Sequence, residues 1–202
     1  FFARSLKKAL RSFVNQAIGG KLPEVTGKPM PSRSKTTEPE LFAPLHVVVV
    51  GSPIGKLWVE SDGELITRLS FEGMYVRQAR IPAVLVETQR LLDAYFKGNL
   101  RAFDLPVQRM GTRSQKLVQD LVVQIPFGST ISYQALAERV GGRAIARSVG
   151  SACGRNPVPI IVPCHRVCSS EGLLTGYVGG LWRKKWLLEH EGALPKGLFE
   201  HA

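Results

Sequence analysis

Polar and apolar residues change their spacing along the 202-residue chain, and each spacing predicts a different kind of structure. From residue 46, short apolar or alternating runs are separated by Gly, Pro and Asp, which is typical of strands joined by turns. A helical run with a glycine stop follows. We therefore predict a small α+β unit, an antiparallel sheet plus a helix, with strands over 46–50, 56–60 and 65–71, a helix over 82–97, and 101–107 as a candidate further strand.

Helical spacing takes over at residue 111 and continues through three segments. Thr112 is suited to be an N-cap, and Gln115 three residues later completes a capping box. The predicted helices cover 112–124, 132–140 and 144–153. The last two are joined by Gly141-Gly142-Arg143, and two short helices with a glycine turn are typical of a helix-turn-helix. The α+β domain is thus followed by a mostly helical carboxy-terminal domain.

The first 40 residues differ from both of these domains. Residues 1–18 have helical apolar spacing with Lys and Arg in between, and 19–40 are rich in Gly, Pro, Ser and Thr. We predict a basic tail and linker over 1–40, the α+β domain over 41–108 and the helical domain over 109–202. Because the first residue is Phe rather than Met, we expect a fragment or a processed form. The tail suits a mitochondrial transit peptide, an arm that contacts DNA, or a piece of a longer chain.

The net charge of +11 lies mainly at the two ends of the chain. Residues 1–37 carry a balance of +7, residues 38–110 of −1 and residues 111–202 of +5. Basic ends favour a polyanionic partner such as nucleic acid, although a need for solubility alone explains the same charge.

The number and spacing of the cysteines, and the length of the apolar runs, indicate the cellular setting in which the protein works. Cys153, Cys164 and Cys168 are few and odd in number, and none belongs to a CxxC pair. We therefore expect a reducing, intracellular setting, no disulfide framework and no metal site. No apolar run is long enough to cross a bilayer, so we expect no membrane partner.

The last helix of the predicted pair is made mostly of small residues, including Ala146, Gly150, Ser151 and Ala152. A helix that reads the major groove usually presents long polar side chains to base edges. Small side chains instead allow the backbone to approach DNA closely. Close packing of the helix in a protein core explains them equally well.

A thiol has unusual neighbours at Pro163-Cys164-His165-Arg166, where an apolar, strand-like run over 158–162 ends. A lone buried cysteine is usually a small hydrophobic residue, but positive neighbours lower the pKa of a thiol and favour the nucleophilic thiolate. Adjacent side chains rarely hydrogen-bond to each other, so His165 needs a bridging water to act on Cys164. These residues alone indicate a thiol nucleophile near a DNA-binding helix pair.

Further motifs occur in order along the chain: Ile125-Pro126-Phe127-Gly128, Ser132-Tyr133-Gln134, Ala146-Arg147-Ser148-Val149-Gly150, Asn156-Pro157, Gly176-Tyr177 and His190-Glu191-Gly192. Together with Pro-Cys-His-Arg, they make the chain resemble the O6-alkylguanine-DNA alkyltransferases, also called methylated-DNA–protein-cysteine methyltransferases. The resemblance covers residues 111–192 strongly and 46–107 more weakly, but not residues 1–40. It implies that the amino-terminal domain is ribonuclease-H-like.

The resemblance also implies catalytic roles for residues that match the motifs of the family. Cys164 is expected to accept the alkyl group, His165 to act as general base through a water, and Glu191 to orient and charge His165. Tyr133 is expected to protonate the departing guanine. Asn156 is expected to form the hinge between the small-residue helix and the active-site strand.

DNA-binding and pocket residues follow from the same resemblance. Arg147 is expected to fill the gap that a flipped nucleotide leaves, because an alkylated base inside a duplex cannot reach a buried thiol. The small-residue helix is expected in the minor groove, which carries little sequence information. Its other implied DNA-contacting residues are Ala144, Gly150, Ser151, Ala152 and Arg155. The implied pocket residues are Tyr177, Val178, Gly179 and Gly180.

The implied function is DNA repair by a suicide methyltransferase. It moves an alkyl group, typically methyl, irreversibly from O6-alkylguanine, and also O4-alkylthymine, to Cys164. We expect a monomer that acts on double-stranded DNA without a cofactor, in the nucleus or cytoplasm, with mitochondrial targeting by the tail left open. One rival is a non-catalytic lesion sensor of the alkyltransferase-like type, which lacks the acceptor cysteine. The other is a thiol hydrolase with repeated turnover. Such an enzyme must regenerate its thiol with water, and a thioether formed by alkyl transfer cannot be hydrolysed in that way.

Three positions depart from the usual pattern of this family. Members generally carry an aromatic residue in place of Ser114, a Trp in place of Gln119 and a small residue in place of Val178. The first two changes affect packing of the helix over 112–124, and the third affects the size of the base pocket.

Overall fold

The computed structural model describes residues 46–74, 80–142 and 145–195. The basic tail and linker predicted over 1–40 lie outside these ranges, as does Ala144. Within them, no helix is both long enough and apolar enough to cross a membrane.

A three-stranded antiparallel sheet forms the amino-terminal domain, with β1 (His46–Val50), β2 (Leu57–Ser61) and β3 (Ile66–Ser70) in that order. One face of the sheet lies in the core and carries buried apolar residues from all three strands: Val48, Val50, Leu57, Val59, Ile66 and Leu69. Helix α1 (Ala83–Phe96) covers this face and buries Tyr95 completely. The predicted antiparallel sheet with one helix is therefore confirmed.

The further strand proposed for 101–107 is wrong, because the structure forms only an isolated bridge between Val107 and Ile66. Ile66 donates its N–H to the carbonyl of Pro106 and accepts from the N–H of Gln108, both at 2.8 Å. Pro106 has no N–H of its own, so a ladder cannot continue back along the chain.

The carboxy-terminal domain begins with three helices, α2 (Arg113–Val123), α3 (Tyr133–Val140) and α4 (Ala146–Gly154). The capping box is present at the start of α2, where Thr112 and Gln115 each accept the backbone N–H of the other. Helices α3 and α4 pack against each other as the predicted helix-turn-helix pair.

The apolar run over 158–162 was expected to be a strand, and this expectation is also wrong. The run is a compact buried turn in which the N–H of Val162 donates to the carbonyl of Val158 at 2.9 Å. Ile160 lies in the left-handed region with a φ of +76°, which is rare for a β-branched residue. Prolines on both sides lack the N–H groups that a strand ladder needs.

After this turn the chain makes one 3₁₀ turn at Cys164–Arg166 and enters the short strand β5 (Val167–Cys168). Strand β5 pairs in parallel with β4 (Ile131–Ser132), which directly precedes α3. The last helix, α5 (Leu181–His190), closes the domain. The pairing of β4 and β5 brings the start of α3 next to Cys164–Arg166, which we call the thiol segment.

Two hydrophobic cores meet at the buried turn before Cys164. Val158 and Ile160 belong to the core of the sheet and α1, whereas Val162 and Cys164 belong to the core of helices α2 to α4. Because both cores hold this segment, the thiol has a fixed position between the two domains.

Candidate active site

Cys164 is the first residue of the 3₁₀ turn, and only 4% of it is exposed. Burial raises the pKa of its thiol to about 11, although a hydrogen bond from Asn156 acts in the opposite direction. The expected low pKa of the thiol is therefore wrong, because burial outweighs the opposite effect of the positive charge on Lys184. Arg166 turns away from the sulfur and binds Glu191 instead.

Asn156 is buried beside the thiol and fixes the turn that carries it. Its Nδ2 donates to Cys164 Sγ at 3.1 Å and to the carbonyl of Val162 at 2.7 Å. Its Oδ1 accepts from the N–H of Val158. Asn156 follows α4 by two residues, so it connects this helix to the thiol segment, as a hinge residue would.

His165 is completely buried and contacts the acidic residue that the sequence motifs pointed to. Its Nε2 lies 2.9 Å from Glu191 Oε1. A carboxylate acceptor assigns the proton to Nε2, so Nδ1 keeps a lone pair. Nδ1 is buried and has no hydrogen-bond partner among the described protein groups. Burial lowers the pKa of His165, against the influence of Glu191, so the ring is neutral near pH 7.

Glu191 directly follows α5 and is held from several directions. Arg166 donates from Nε to Oε2 and from Nη2 to Oε1, both at 2.9 Å, and Tyr95 donates to Oε1 at 2.8 Å. The N–H of Gly128 donates to Oε2. Burial opposes ionisation, but the bonds from His165 and Arg166 prevail and hold the pKa of this carboxyl well below its usual range.

Two of these partners were missed by reasoning from the sequence. Arg166 was visible beside Cys164 in the motif, yet its role as a bidentate partner of Glu191 depends on the fold. Tyr95 lies within the predicted helix over 82–97, and no motif singles it out. Its hydroxyl reaches Glu191 because the amino-terminal domain packs onto the end of α5, and no local pattern indicates that contact.

Tyr133 is the first residue of α3, and its hydroxyl lies 3.4 Å from the carbonyl of Thr175. Burial raises the pKa of Tyr133 to about 12, so the phenol keeps its proton at neutral pH.

Lys184, also missed from the sequence, is fully buried and donates to the carbonyls of Val167 and Thr175 at 2.7 and 2.8 Å.

The segment 177–180, which we call the pocket loop, directly precedes α5. The ring of Tyr177 lies 6.4 Å from that of His165, centroid to centroid. Val178 is half-exposed. A Cβ on Gly179 would lie 2.5 Å from the ring of Phe71, and Gly180 has a φ of +85°, so both positions favour glycine.

Helix α4 presents Arg147, Ser151 and Arg155 at the exposed surface, with Arg155 just past its end. Gly150 faces Tyr133, because a Cβ there would lie 3.9 Å from the ring. Ala152 is buried in the core, which is the close helix packing that the sequence left open. The helix therefore has a buried side and an exposed side with two arginines.

Candidate metal ligands do not cluster in the part of the chain that the structure describes, where no group of three His, Cys, Asp or Glu residues could hold an ion.

Gln119, which stands where the family usually has Trp, is buried and donates to the carbonyl of Met110.

Two family models match the chain. The 6-O-methylguanine DNA methyltransferase, DNA binding domain, matches residues 113–193, and the ribonuclease-like domain of the same family matches residues 46–108. Methylated-DNA–protein-cysteine methyltransferase from Mycobacterium bovis is 40% identical over 73% of this chain and 92% of its own length. The protein of that name from Methanosarcina acetivorans is 38% identical over 74% and 99%.

Two solved structures of proteins with related names are also similar to this chain. The crystal structure of Mycobacterium tuberculosis O6-methylguanine methyltransferase has a TM-score of 0.66 and 38% identity, over 77% of this chain and 98% of that one. The M. tuberculosis OGT structure in complex with DNA has a TM-score of 0.64 and 40% identity, over 73% and 93%.

Proposed function

This chain belongs to the 6-O-methylguanine DNA methyltransferase family, and we propose that Cys164 accepts the alkyl group that the protein removes from DNA. The protein is a DNA-repair methyltransferase of the suicide type, and DNA is its partner. The observation that carries the assignment to Cys164 is its position next to the buried pair of His165 and Glu191. Cys153 and Cys168 have no such partners among their described contacts.

The first step is loss of the thiol proton. Because burial holds the pKa of Cys164 at about 11, the thiol needs a base at neutral pH. Neutral His165 offers the lone pair of Nδ1, and a water carries the proton from Sγ to this atom. The ionised Glu191 then stabilises the imidazolium, as the acid does in other activated nucleophiles.

The second step is alkyl transfer. The thiolate of Cys164 attacks the alkyl carbon, a carbon–sulfur bond forms, and the bond from that carbon to O6 of guanine breaks. The bonding electrons go to the base, and Tyr133 donates a proton so that neutral guanine leaves. A thioether is not hydrolysed in water, so each protein molecule reacts once. O4-alkylthymine offers the same alkyl–oxygen bond, and we propose it as a second substrate.

The buried position of the thiol requires the damaged nucleotide to leave the duplex. Arg147 is exposed on α4 and fills the gap, while Ser151 and Arg155 contact the backbone in the minor groove. Gly150 and Ala152 have little or no side chain and allow α4 to pack closely against its neighbours, and Ala144, which lies outside the described residues, is proposed as a further DNA contact. The pocket loop, Tyr177 to Gly180, receives the flipped base. A monomer suffices for this chemistry, in a reducing compartment that contains DNA, nuclear or cytoplasmic.

The test is intact-protein and peptide mass spectrometry after incubation with duplex DNA that contains one O6-methylguanine. We expect one added methyl group, located on the peptide with Cys164. Cys164→Ala should still bind the duplex but gain no mass, whereas the matched variant Cys168→Ala should gain one methyl group. Binding without any mass change would identify a lesion sensor, and repeated turnover without mass change would identify a hydrolase.

A further inference from the structure

Arg183 connects the amino-terminal domain to the pocket loop. Its Nε donates to the carbonyl of Ile54 at 2.9 Å, and its Nη1 donates to the carbonyl of Gly179 at 2.8 Å. Ile54 lies in the turn between β1 and β2, whereas Gly179 belongs to the loop just before α5. Because a guanidinium is planar and rigid, two bonds in different directions fix the distance between these carbonyls.

Two aromatic rings hold the guanidinium in this position. Its central carbon lies 4.7 Å from the ring centroid of Phe71 and 4.3 Å from that of Trp182. Phe71 follows β3 and also contacts the pocket loop, since its ring lies 6.0 Å from the ring of Tyr177 and directly against Gly179. The amino-terminal domain therefore supports the loop through Phe71 and Arg183 together.

The neighbouring residue Lys184 holds the chain before the loop. Its Nζ donates to the carbonyls of Thr175 and Val167. These bonds stay within the carboxy-terminal domain, whereas the bond from Arg183 to Ile54 crosses to the other domain. Lys184 thus holds the chain just before the loop and Arg183 holds Gly179 within it. Of these two adjacent residues of α5, only Arg183 connects the loop to the amino-terminal domain.

We propose that Arg183 is a positioning residue that makes recognition of the alkylated base depend on the amino-terminal domain. It does so by holding the carbonyl of Gly179 against the turn that contains Ile54. This inference rests on the proposed function of Cys164 and on the pocket loop as the wall that receives the base. A misplaced reactant loses much of the rate that binding in the correct geometry provides.

Arg183 has no described contact with the residues proposed to activate the thiol. Cys164 is bonded to Asn156, and His165 to Glu191, so the thiol chemistry does not depend on the guanidinium. Loss of Arg183 should therefore disturb placement of the base but leave the intrinsic reactivity of the thiol unchanged. This difference separates a positioning role from a general structural one.

The experiment compares the full chain with Arg183→Gln, which loses the guanidinium, and Arg183→Lys, which keeps the charge but cannot span both carbonyls. Arg90→Gln is the matched control, since Arg90 is an exposed arginine on α1 paired with Glu87. Four quantities are measured: the rate of transfer from free O6-benzylguanine, the rate at which iodoacetamide alkylates Cys164, the Tm, and amide hydrogen exchange in the peptide over 173–181.

For Arg183→Gln we expect transfer from O6-benzylguanine to slow by roughly ten- to a hundredfold. Exchange over 173–181, which contains the Gly180 N–H bonded to the carbonyl of Tyr177, should become faster. The iodoacetamide rate should stay close to that of the unmodified protein, and the Tm should fall by only a few degrees, because part-buried hydrogen bonds from the guanidinium are lost. Arg183→Lys should give intermediate values, and Arg90→Gln should match the unmodified protein in all four measurements.

Unchanged transfer and exchange in Arg183→Gln would overturn the proposal. A parallel loss of Tm and of iodoacetamide reactivity would also overturn it, by assigning Arg183 a structural role. Full rescue by Lys would overturn it as well, since charge alone would then suffice. If the unmodified protein takes no alkyl group on Cys164, the proposed function fails, and hydrogen exchange still decides whether Arg183 holds the loop.

Discussion

Tyr95 donates its hydroxyl hydrogen to Glu191 Oε1 at 2.8 Å, so the amino-terminal domain helps to hold the carboxylate that orients His165. Tyr95 is fully buried, and its ring packs edge-on against Phe127 and His190, with centroids 6.2 and 5.2 Å apart. The carboxylate is therefore held by groups from both domains. Separating the domains would leave a buried charge with fewer partners, which is costly.

Removing the hydroxyl in Tyr95→Phe should lower the free energy of unfolding by about 2 kcal/mol, because a buried hydrogen bond to a charged group disappears. Urea denaturation measures this change. The rate of alkyl transfer should fall less than tenfold, since Arg166 and His165 still hold Glu191. Glu191→Gln is the comparison, and it should lose more stability and more activity because the buried Arg166 loses its anionic partner. Equal stability of Tyr95→Phe and the unmodified protein would contradict the prediction.

Acid should destabilise the protein through His165. The pKa of His165 is lowered in the folded state, so just below the unfolded value of about 6.5 the unfolded chain binds a proton that the folded chain does not. The free energy of unfolding should therefore decrease as the pH falls below about 6.5. The lowered pKa of Glu191 adds a further loss of stability below about pH 4, in the same direction.

Denaturation at a series of pH values between about 5 and 8 tests this dependence. The variant His165→Gln should show a shallower slope than the unmodified protein, because it lacks the group whose pKa is lowered. Identical slopes for the two proteins would show that His165 is not the group responsible.

Arg147 should matter for duplex DNA and not for a free base. It is exposed on α4, and its proposed role is to fill the gap that the flipped nucleotide leaves. Arg147→Ala should therefore slow repair of a duplex with O6-methylguanine much more than it slows reaction with free O6-benzylguanine. Arg139→Ala, on the neighbouring helix α3, is the matched control for removal of one charge. Equal losses of Arg147→Ala on both substrates would place the role of Arg147 elsewhere.

Local patterns predicted most of the secondary structure. The caps and glycine stops act within a few residues of each helix end, and so the capping box of Thr112 and Gln115 could be predicted. The strand expected over 158–162 failed because apolar character alone does not distinguish a strand from a buried turn. Prolines that remove ladder donors were the available signal against it.

Residues of the candidate active site could be predicted from the sequence only where they belong to a motif of the family. Cys164, His165, Glu191 and Asn156 came from motifs of the family, but the contacts of Glu191 with Tyr95 and Arg166 did not. The bond from Tyr95 to Glu191 joins residues 96 apart in sequence, and the bond from Arg183 to Ile54 joins residues 129 apart. The raised pKa of Cys164 was equally hidden, because it depends on how deeply the fold buries the thiol.

The basic tail should strengthen binding to DNA without affecting the chemistry. Residues 1–37 carry +7 of the net charge of +11, and the match to the family begins only at residue 46. Binding a phosphate releases condensed counterions, so removing one phosphate-binding Lys or Arg should reduce the slope of log affinity against log salt by roughly 0.9. Deletion of residues 1–37 should therefore flatten this slope and weaken binding at moderate salt.

The measurement is DNA affinity at several salt concentrations for the full chain, for the deletion, and for a full-length variant with the eight Lys and Arg residues of 1–37 changed to Gln. If charge is the cause, the deletion and the Gln variant should show the same reduced slope. Reaction with free O6-benzylguanine should stay at the full-length rate in both, because the proposed pocket lies within 133–191. Superimposable lines for all three proteins would eliminate the DNA arm and leave targeting as the better account of the tail.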